Sequence, residues 1–260
     1  LRMSRGLGDV YKRQALGGYA ATAITAITVQ NTLGVQAVHP VPAELVGEQM
    51  QAVMEDLRPD AIKIGMTGNV EIISEIARLL HQYSPRQVVL DPVMVSTSGH
   101  NLMTDEAVEA ICTLLLPEVS LVTPNLHEAA VLLQQPIHTV DDMEHAAHLV
   151  YEKYHCACLV KGGHLTGNEM CDVLYDGHEL HLFGARHIHS GNLHGTGCTL
   201  SSAIATFLAQ GFPLYEAVEL AKTYITKAIE AGKDLHIGQG NGPLCHFPYL
   251  VNPVNPLTEE

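Results

Sequence analysis

The chain has 260 residues, 47% of them hydrophobic, which is ample for a sizeable buried core in one large domain or two small ones. Lys and Arg number 14 against 28 Asp and Glu, a formal charge of −14 that repels phosphate backbones and anionic lipid and argues against a nucleic-acid or membrane-surface partner. No window reaches about 18 uninterrupted apolar residues, and the start, with Arg2, Arg5, Lys12 and Arg13, lacks the apolar stretch of a secretory signal, so the chain reads as cytoplasmic.

Residues 1–14, LRMSRGLGDVYKRQ, offer no apolar strand and stand apart from the rest of the chain. β-Branched apolar runs bounded by turn residues then mark strands at 21–29, 61–65, 87–91, 119–123 and 157–163. Stretches of 3.6-residue periodicity between them predict helices over 42–57, 69–83, 105–116, 125–134 and 141–154. This alternation predicts a parallel sheet built by right-handed crossovers and covered on both faces. CDVLYDGHELHLF, 171–183, reads as a hairpin turning at Asp176-Gly177, which extends that sheet with antiparallel strands. Two long helices come next, over 196–210 and 214–232, split by Gly211 and Pro213. With no linker, repeat or low-complexity tract, 15–250 reads as a single α/β domain and 251–260 as a tail.

The six cysteines form no CxxC pair, and the chain is far longer than a disulfide-stapled secreted domain, so they read as reduced thiols. The 16 histidines show neither HExxH nor a Cys/His finger spacing, and most read as surface residues.

In open parallel sheets ligands collect at the carboxyl ends of the strands. Those positions here are Gln30 and Asn31; Gly65, Met66 and Thr67; Asp91, Pro92 and Val93; Pro124, Asn125 and, one helical turn on, Glu128; and Lys161, Gly162 and Gly163. In NLHGTGCTLSSAIA, 192–205, Gly195 and Gly197 let the backbone turn tightly, and the next helix aims unpaired amides and its positive dipole end at the same spot. That arrangement is an anion hole suited to phosphate. Cys198 lies in the first turn, where the same field favours a thiolate able to take a proton from a substrate hydroxyl. The plainer alternative is that the glycines and Thr196 cap a helix and Cys198 is a small buried hydrophobe. Asp91 and Glu128 are the carboxylates that magnesium-dependent phosphoryl transfer uses, and Lys161 the cation that neutralises charge passing between phosphates. Taken singly, they are a strand-end cap, a helix-dipole partner and a solvated lysine; together on one rim they favour a kinase. Neither the Walker A pattern nor GxGxxG occurs.

ITVQNTLGVQ, IKIGMTG, VVLDPVMVSTSGHNLM, LVTPNLHEAAVLL, LVKGGH, NLHGTGCTLSSAIA and GQGNGPLCHF together resemble the hydroxymethylpyrimidine kinase / phosphomethylpyrimidine kinase family of thiamine biosynthesis, a branch of the ribokinase-like superfamily, over about 15–248. The resemblance implies a three-layer α/β/α sandwich and transfer of phosphate from ATP, with Mg2+, to 4-amino-5-hydroxymethyl-2-methylpyrimidine and then to its monophosphate. It also implies roles: Gln30 bonded to the pyrimidine, Met66 and Val93 packed on its ring, and the Gly195-Thr196-Gly197 amides as anion hole. Cys198 would serve as base where most of the superfamily has Asp, and Lys161 would lie by the transferring phosphate. Asn125 and Thr196 would serve the nucleotide, Asp91 and Glu128 would organise Mg2+ and its water, and STSGHNL would form a flap. Relatives that phosphorylate pyridoxal yet keep GTGC usually carry a further cysteine in that flap; 95–102 has none, which favours the pyrimidine over pyridoxal. Relatives are often homodimers.

The resemblance also implies a head like AGxDxxGGAGIQADLK, a strand and Gly-rich segment supplying an Asp to the substrate. Residues 1–14 do not match it, so they are expected to be foreign to the family. The chain is then expected to lack that carboxylate, leave strand neighbours unpaired, and be weakly active and poorly stable. A non-catalytic nucleotide or pyrimidine binder is the competing reading.

Overall fold

The computed structural model describes residues 5–94, 103–163 and 169–249. Its first element is a helix with no counterpart among the elements expected from sequence, α1 (Arg5–Ala15), which packs on α7 (Thr196–Ala209). Its polarity is inverted, with Asp9 and Lys12 buried and Tyr11 exposed. Lys12 Nζ donates to Asp9 Oδ1 at 3.0 Å, and Lys63 Nζ to Asp9 Oδ2 at 2.7 Å. A helix held by ion pairs has no apolar stripe to betray it.

The run expected as a first parallel strand over 21–29 is instead half of a separate ribbon. β1 (Ala26–Asn31) pairs antiparallel with β2 (Gly34–Pro40) outside the main sheet. Asn31 Oδ1 accepts from the amides of Leu33 (2.9 Å) and Gly34 (3.3 Å), turning the chain back on itself. One face of β1 lies open, with Ile27 57% and Val29 45% exposed.

After α2 (Ala43–Asp56) come β3 (Ile62–Ile64), α3 (Val70–Tyr83), β4 (Val88–Leu90), α4 (Asp105–Ala110), β5 (Leu121–Val122), α5 (Leu126–Leu133), α6 (Val140–Tyr154) and β6 (Ala157–Lys161). The hairpin β7 (Glu169–Tyr175) and β8 (Leu180–Arg186) is next, then α7 and α8 (Leu214–Gly232). Spatial order in the six-stranded sheet equals chain order, parallel from β3 to β6 and antiparallel from β6 to β8, as the alternation and the Asp176-Gly177 turn predict. Gly177 takes φ +99°, and Asp176 Oδ1 accepts the amides of His178 and Glu179, both at 2.8 Å. The helix expected over 105–116 starts in place but widens into a π turn over Ile111–Leu115 and tightens over Leu116–Glu118, where Pro117 has no amide to continue it.

The strands are buried on both sides. Leu90, Val122, Cys158 and Val160 pack against α3, α5 and α6, whereas Val89, Leu121, Leu159 and Leu174 meet Leu200, Ile204 and Tyr224 of α7 and α8. The result is the expected three-layer α/β/α sandwich. The loop before α7 is latched to the end of α8, because Asn192 Nδ2 donates to the carbonyls of Gly232 (2.7 Å), Lys233 (3.3 Å) and Leu235 (2.7 Å). A Cβ on Gly242 would overlap the Asn192 amide oxygen, so the 238–243 segment is drawn tight over this latch. The tail at 251–260 lies outside the described residues.

Leu159 sits fully buried on β6 facing α7 and α8. Leu159→Ala should lower the unfolding free energy by about 2–5 kcal/mol, read as a shifted urea midpoint with unchanged slope.

Candidate active site

β4 ends at Leu90, but Asp91 keeps the ladder through its amide to the carbonyl of Ile64, 2.9 Å. The period of two then turns its carboxylate to the α7 side, where it is 2% exposed. Lys161, the last residue of β6, reaches across with Nζ 2.9 Å from Asp91 Oδ1 and 4.0 Å from Glu128 Oε2. Thr123 Oγ1 and Ser201 Oγ add longer bonds to Asp91, each 3.4 Å. Glu128 is fixed by a capping box. Its amide donates to Asn125 Oδ1 at 2.9 Å, and its Oε2 accepts from the Asn125 amide at 2.8 Å, which starts α5.

Burial works to raise the Asp91 carboxyl, but the ammonium groups of Lys161 and Lys63 outweigh it and hold it below the usual range. Glu128 has the weaker share of Lys161, and burial together with the Asp91 charge pushes it up to about 7. Burial works against the Lys161 charge, yet Asp91 and Glu128 raise its pKa all the same.

Gly195 caps α7 in the left-handed region, φ +84°, with no side-chain cap. The Thr196 amide is turned back to the Leu193 carbonyl at 3.3 Å, and its hydroxyl donates to the same oxygen at 2.8 Å. Of the Gly195, Thr196 and Gly197 amides expected to form the hole, that of Thr196 is thus engaged, whereas Gly197 and Cys198 lie in the first turn, where amides have no intrahelical acceptor. A Cβ on Gly197 would lie 3.3 Å from Lys161 Nζ, so this glycine lets the helix end settle over the lysine.

Beside this cluster a pocket is lined by Cys198, Met66 and Val93, as expected, and by Thr28, Gly65 and Lys63. Asp9 also lines it, so a carboxylate stands in the pocket where its absence was expected. Gln30 does not line it. Its Nε2 lies 3.5 Å from His194 Nε2, because the ribbon register carries Gln30 toward the loop before α7. The expected Cys198 thiolate is also corrected. Burial of the sulfur, aided by Asp91 and Asp9, outweighs Lys63 and Lys12 and pushes the thiol up. The flap STSGHNL lies outside the described residues.

Lys63, Thr123 and Ser201 escape a reading of the sequence. Only Lys63 leaves a signal, a lysine inside the apolar run AIKIG. Its side chain is buried, and the charges of Asp9, Cys198 and Asp91 overcome burial to raise its pKa.

Two carboxylates bracketing one ammonium, opposite an open helix end, are what transfer of a phosphoryl group asks of a protein; on this sandwich they define a small-molecule kinase of the ribokinase-like class. Comparison with known proteins fixes the branch. The phosphomethylpyrimidine kinase family matches residues 7–245, and the chain belongs to it. The match opens at residue 7, ahead of the onset expected at 15, so most of α1 falls within it. The hydroxymethylpyrimidine/phosphomethylpyrimidine kinase of Rhizobium meliloti is 49% identical over 240 residues, spanning 92% of this chain and 90% of the relative. The crystal structure of phosphomethylpyrimidine kinase from Clostridium difficile is 40% identical with a TM-score of 0.77, covering 85% of this chain and 91% of that one. Staphylococcus aureus pyridoxal kinase in complex with ADP is 31% identical with a TM-score of 0.85, covering 94% and 88%.

The raised Glu128 carboxyl ties stability to pH. Between about 4.5 and about 7 the folded protein keeps a proton that the unfolded chain has released, so this group makes stability fall as pH rises through that window. Unfolding free energies measured across it should decline in the parent and lose that decline in Glu128→Gln.

Proposed function

We propose that this kinase transfers the γ-phosphate of ATP to the hydroxymethyl oxygen of 4-amino-5-hydroxymethyl-2-methylpyrimidine, and then phosphorylates the monophosphate, in thiamine biosynthesis. The observation that carries this reading is the adjacency of two sites: Cys198 lines the Met66/Val93 pocket, while Gly197, one residue earlier, packs over the Lys161–Asp91 pair. A ring alcohol in the pocket meets a phosphate at the helix end. Lys161 and the Gly197 and Cys198 amides stabilise charge on the moving group, and Asn125 and Thr196 serve the nucleotide at the same rim. The alcohol oxygen bonds to phosphorus, the bond to the bridging oxygen of ADP breaks, and the alcohol proton passes to Cys198 in the fraction of molecules whose thiol is ionised, a fraction that grows as pH rises. Gln30 would have to turn from His194 to reach a ring held in the pocket.

Asp91 and Glu128 suit Mg2+, which prefers one or two carboxylates beside phosphate oxygens. The Glu128 carboxyl, pushed up by burial and then by the Asp91 charge, would be ionised more readily beside such an ion. When bound, the ion neutralises charge on the phosphates. No described helix is long and apolar enough to cross a membrane, and all six cysteines are free thiols, which supports a cytoplasmic setting. The open Ile27 and Val29 face of β1 supports a homodimer formed through the ribbon.

Because the Cys198 thiol is pushed up, kcat should rise with pH through the alkaline range. Cys198→Ala should lower kcat on the order of 100-fold and flatten that rise, with the unfolding midpoint unchanged. An unaltered rate would remove Cys198 from the mechanism. Coupled ADP-release assays with the pyrimidine and with pyridoxal decide the substrate; a higher kcat/KM for pyridoxal overturns the assignment. Stabilisation by ATP without ADP release identifies a binder instead. Ile27→Glu with Val29→Lys should convert a dimer to a monomer in light scattering.

A further inference from the structure

A strand end is where a lysine is least constrained, yet Lys161 is held at the one before a glycine pair. The amide of Gly162 donates to a side chain, Asp172 Oδ1, at 2.9 Å. Asp172 is the register partner of Lys161 across β6 and β7, and it is 7% exposed. Its other oxygen, Oδ2, accepts from Lys222 Nζ of α8 at 2.6 Å. Gly162 itself has no room for a side chain, since a Cβ would strike the carbonyl of Cys171 and approach Met143 Cε to 2.8 Å. Both carboxylate oxygens of Asp172 are thus engaged, one by the peptide just after Lys161 and one by α8, which packs on the same face of the sheet.

A buried ion pair is a poor way to gain stability, because removing two charges from water costs several kcal/mol per ion and an apolar pair of similar volume often does as well. On the α7 and α8 side of β7 the neighbouring inward residue is Leu174, so an apolar residue would suit the position of Asp172. The acceptor has a use that a leucine does not. It fixes the peptide plane after Lys161, and with it the direction from which the lysine stem sets out toward Asp91.

We infer that Asp172, braced by Lys222, is a positioning residue for phosphoryl transfer that aims the Lys161 ammonium through the Gly162 amide. This rests on the role proposed for Lys161 in phosphoryl transfer. Misplacing a charge-stabilising group by about 1 Å can cost up to 100-fold in rate.

The test separates the acceptor from the ion pair. Asp172→Asn with Lys222→Met keeps an oxygen for Gly162 and removes both charges; Asp172→Ala with Lys222→Met removes the acceptor as well. With ATP, Mg2+ and the pyrimidine, the asparagine double variant should hold kcat within about threefold of the parent, and the alanine double variant should lose on the order of 10- to 100-fold, with KM for the pyrimidine within about twofold in both. Equal kcat in the two double variants overturns the inference, as does a large loss in the asparagine one. Should the alanine version not fold, Asp172→Thr with Lys222→Met, whose hydroxyl falls short of Gly162, carries the same expectation and the same refutation. Lys161→Met tells the two readings apart: an undiminished kcat there refutes the role of Lys161, whereas a lost kcat beside an active alanine double variant refutes Asp172 alone.

Discussion

Three charged groups share one buried corner at the carboxyl edge of the sheet, and their unequal division organises the site. Asp91 holds Lys161 at 2.9 Å while Glu128 stands at 4.0 Å from the same nitrogen. In a medium of low dielectric such a difference matters, because isolated charges there are expensive. Asp91 stays ionised, while burial and the Asp91 charge drive Glu128 toward neutrality, so one ammonium balances one carboxylate and leaves the other unserved. The fold serves this arrangement. β6 ends in Lys161 itself, Asp91 directly follows the last residue of β4, and Asn125, three residues past β5, is the cap that locks the third.

Glycine does the rest by leaving space. Gly197 allows the start of α7 to rest over Lys161, and Gly65 has Lys63 Nζ where a Cβ would lie 2.8 Å away. Two ammonium groups therefore approach the helix end from β6 and β3, one beside the carboxylates and one beside the pocket. An acidic protein thus concentrates two of its few cations at one helix end.

Much of this is legible in the residues. Strands buried on both faces read as unbroken apolar runs, which is why 61–65, 87–91, 119–123 and 157–163 stand out and why the residues closing them reveal the rim. The Asn125 and Glu128 spacing is itself a capping box written in the chain. The expectations that failed did so for identifiable reasons. β1 alternates as any half-exposed strand does, and only the Asn31 turn decides that it folds back on β2 rather than joining the sheet. α1 hides because its inward residues are charged. The thiolate expected at Cys198 weighs the field of a helix end without the loss of water around the sulfur, and the second effect is the larger. Thr123 and Ser201 bond a carboxylate 32 and 110 positions away, a pairing no local pattern encodes.

The Asn192 latch bears on how such chains can diverge. One amide gathers three carbonyls where α8 runs out, and carbonyls on a helix rotate by about 100° for each residue added or removed. Surface loops elsewhere can lengthen freely, but a single-residue insertion inside 214–232 would swing those oxygens out of reach and slacken the strand of backbone leading into Gly195. Helix length here is inherited along with the Gly195 turn, and the two are expected to drift together or not at all.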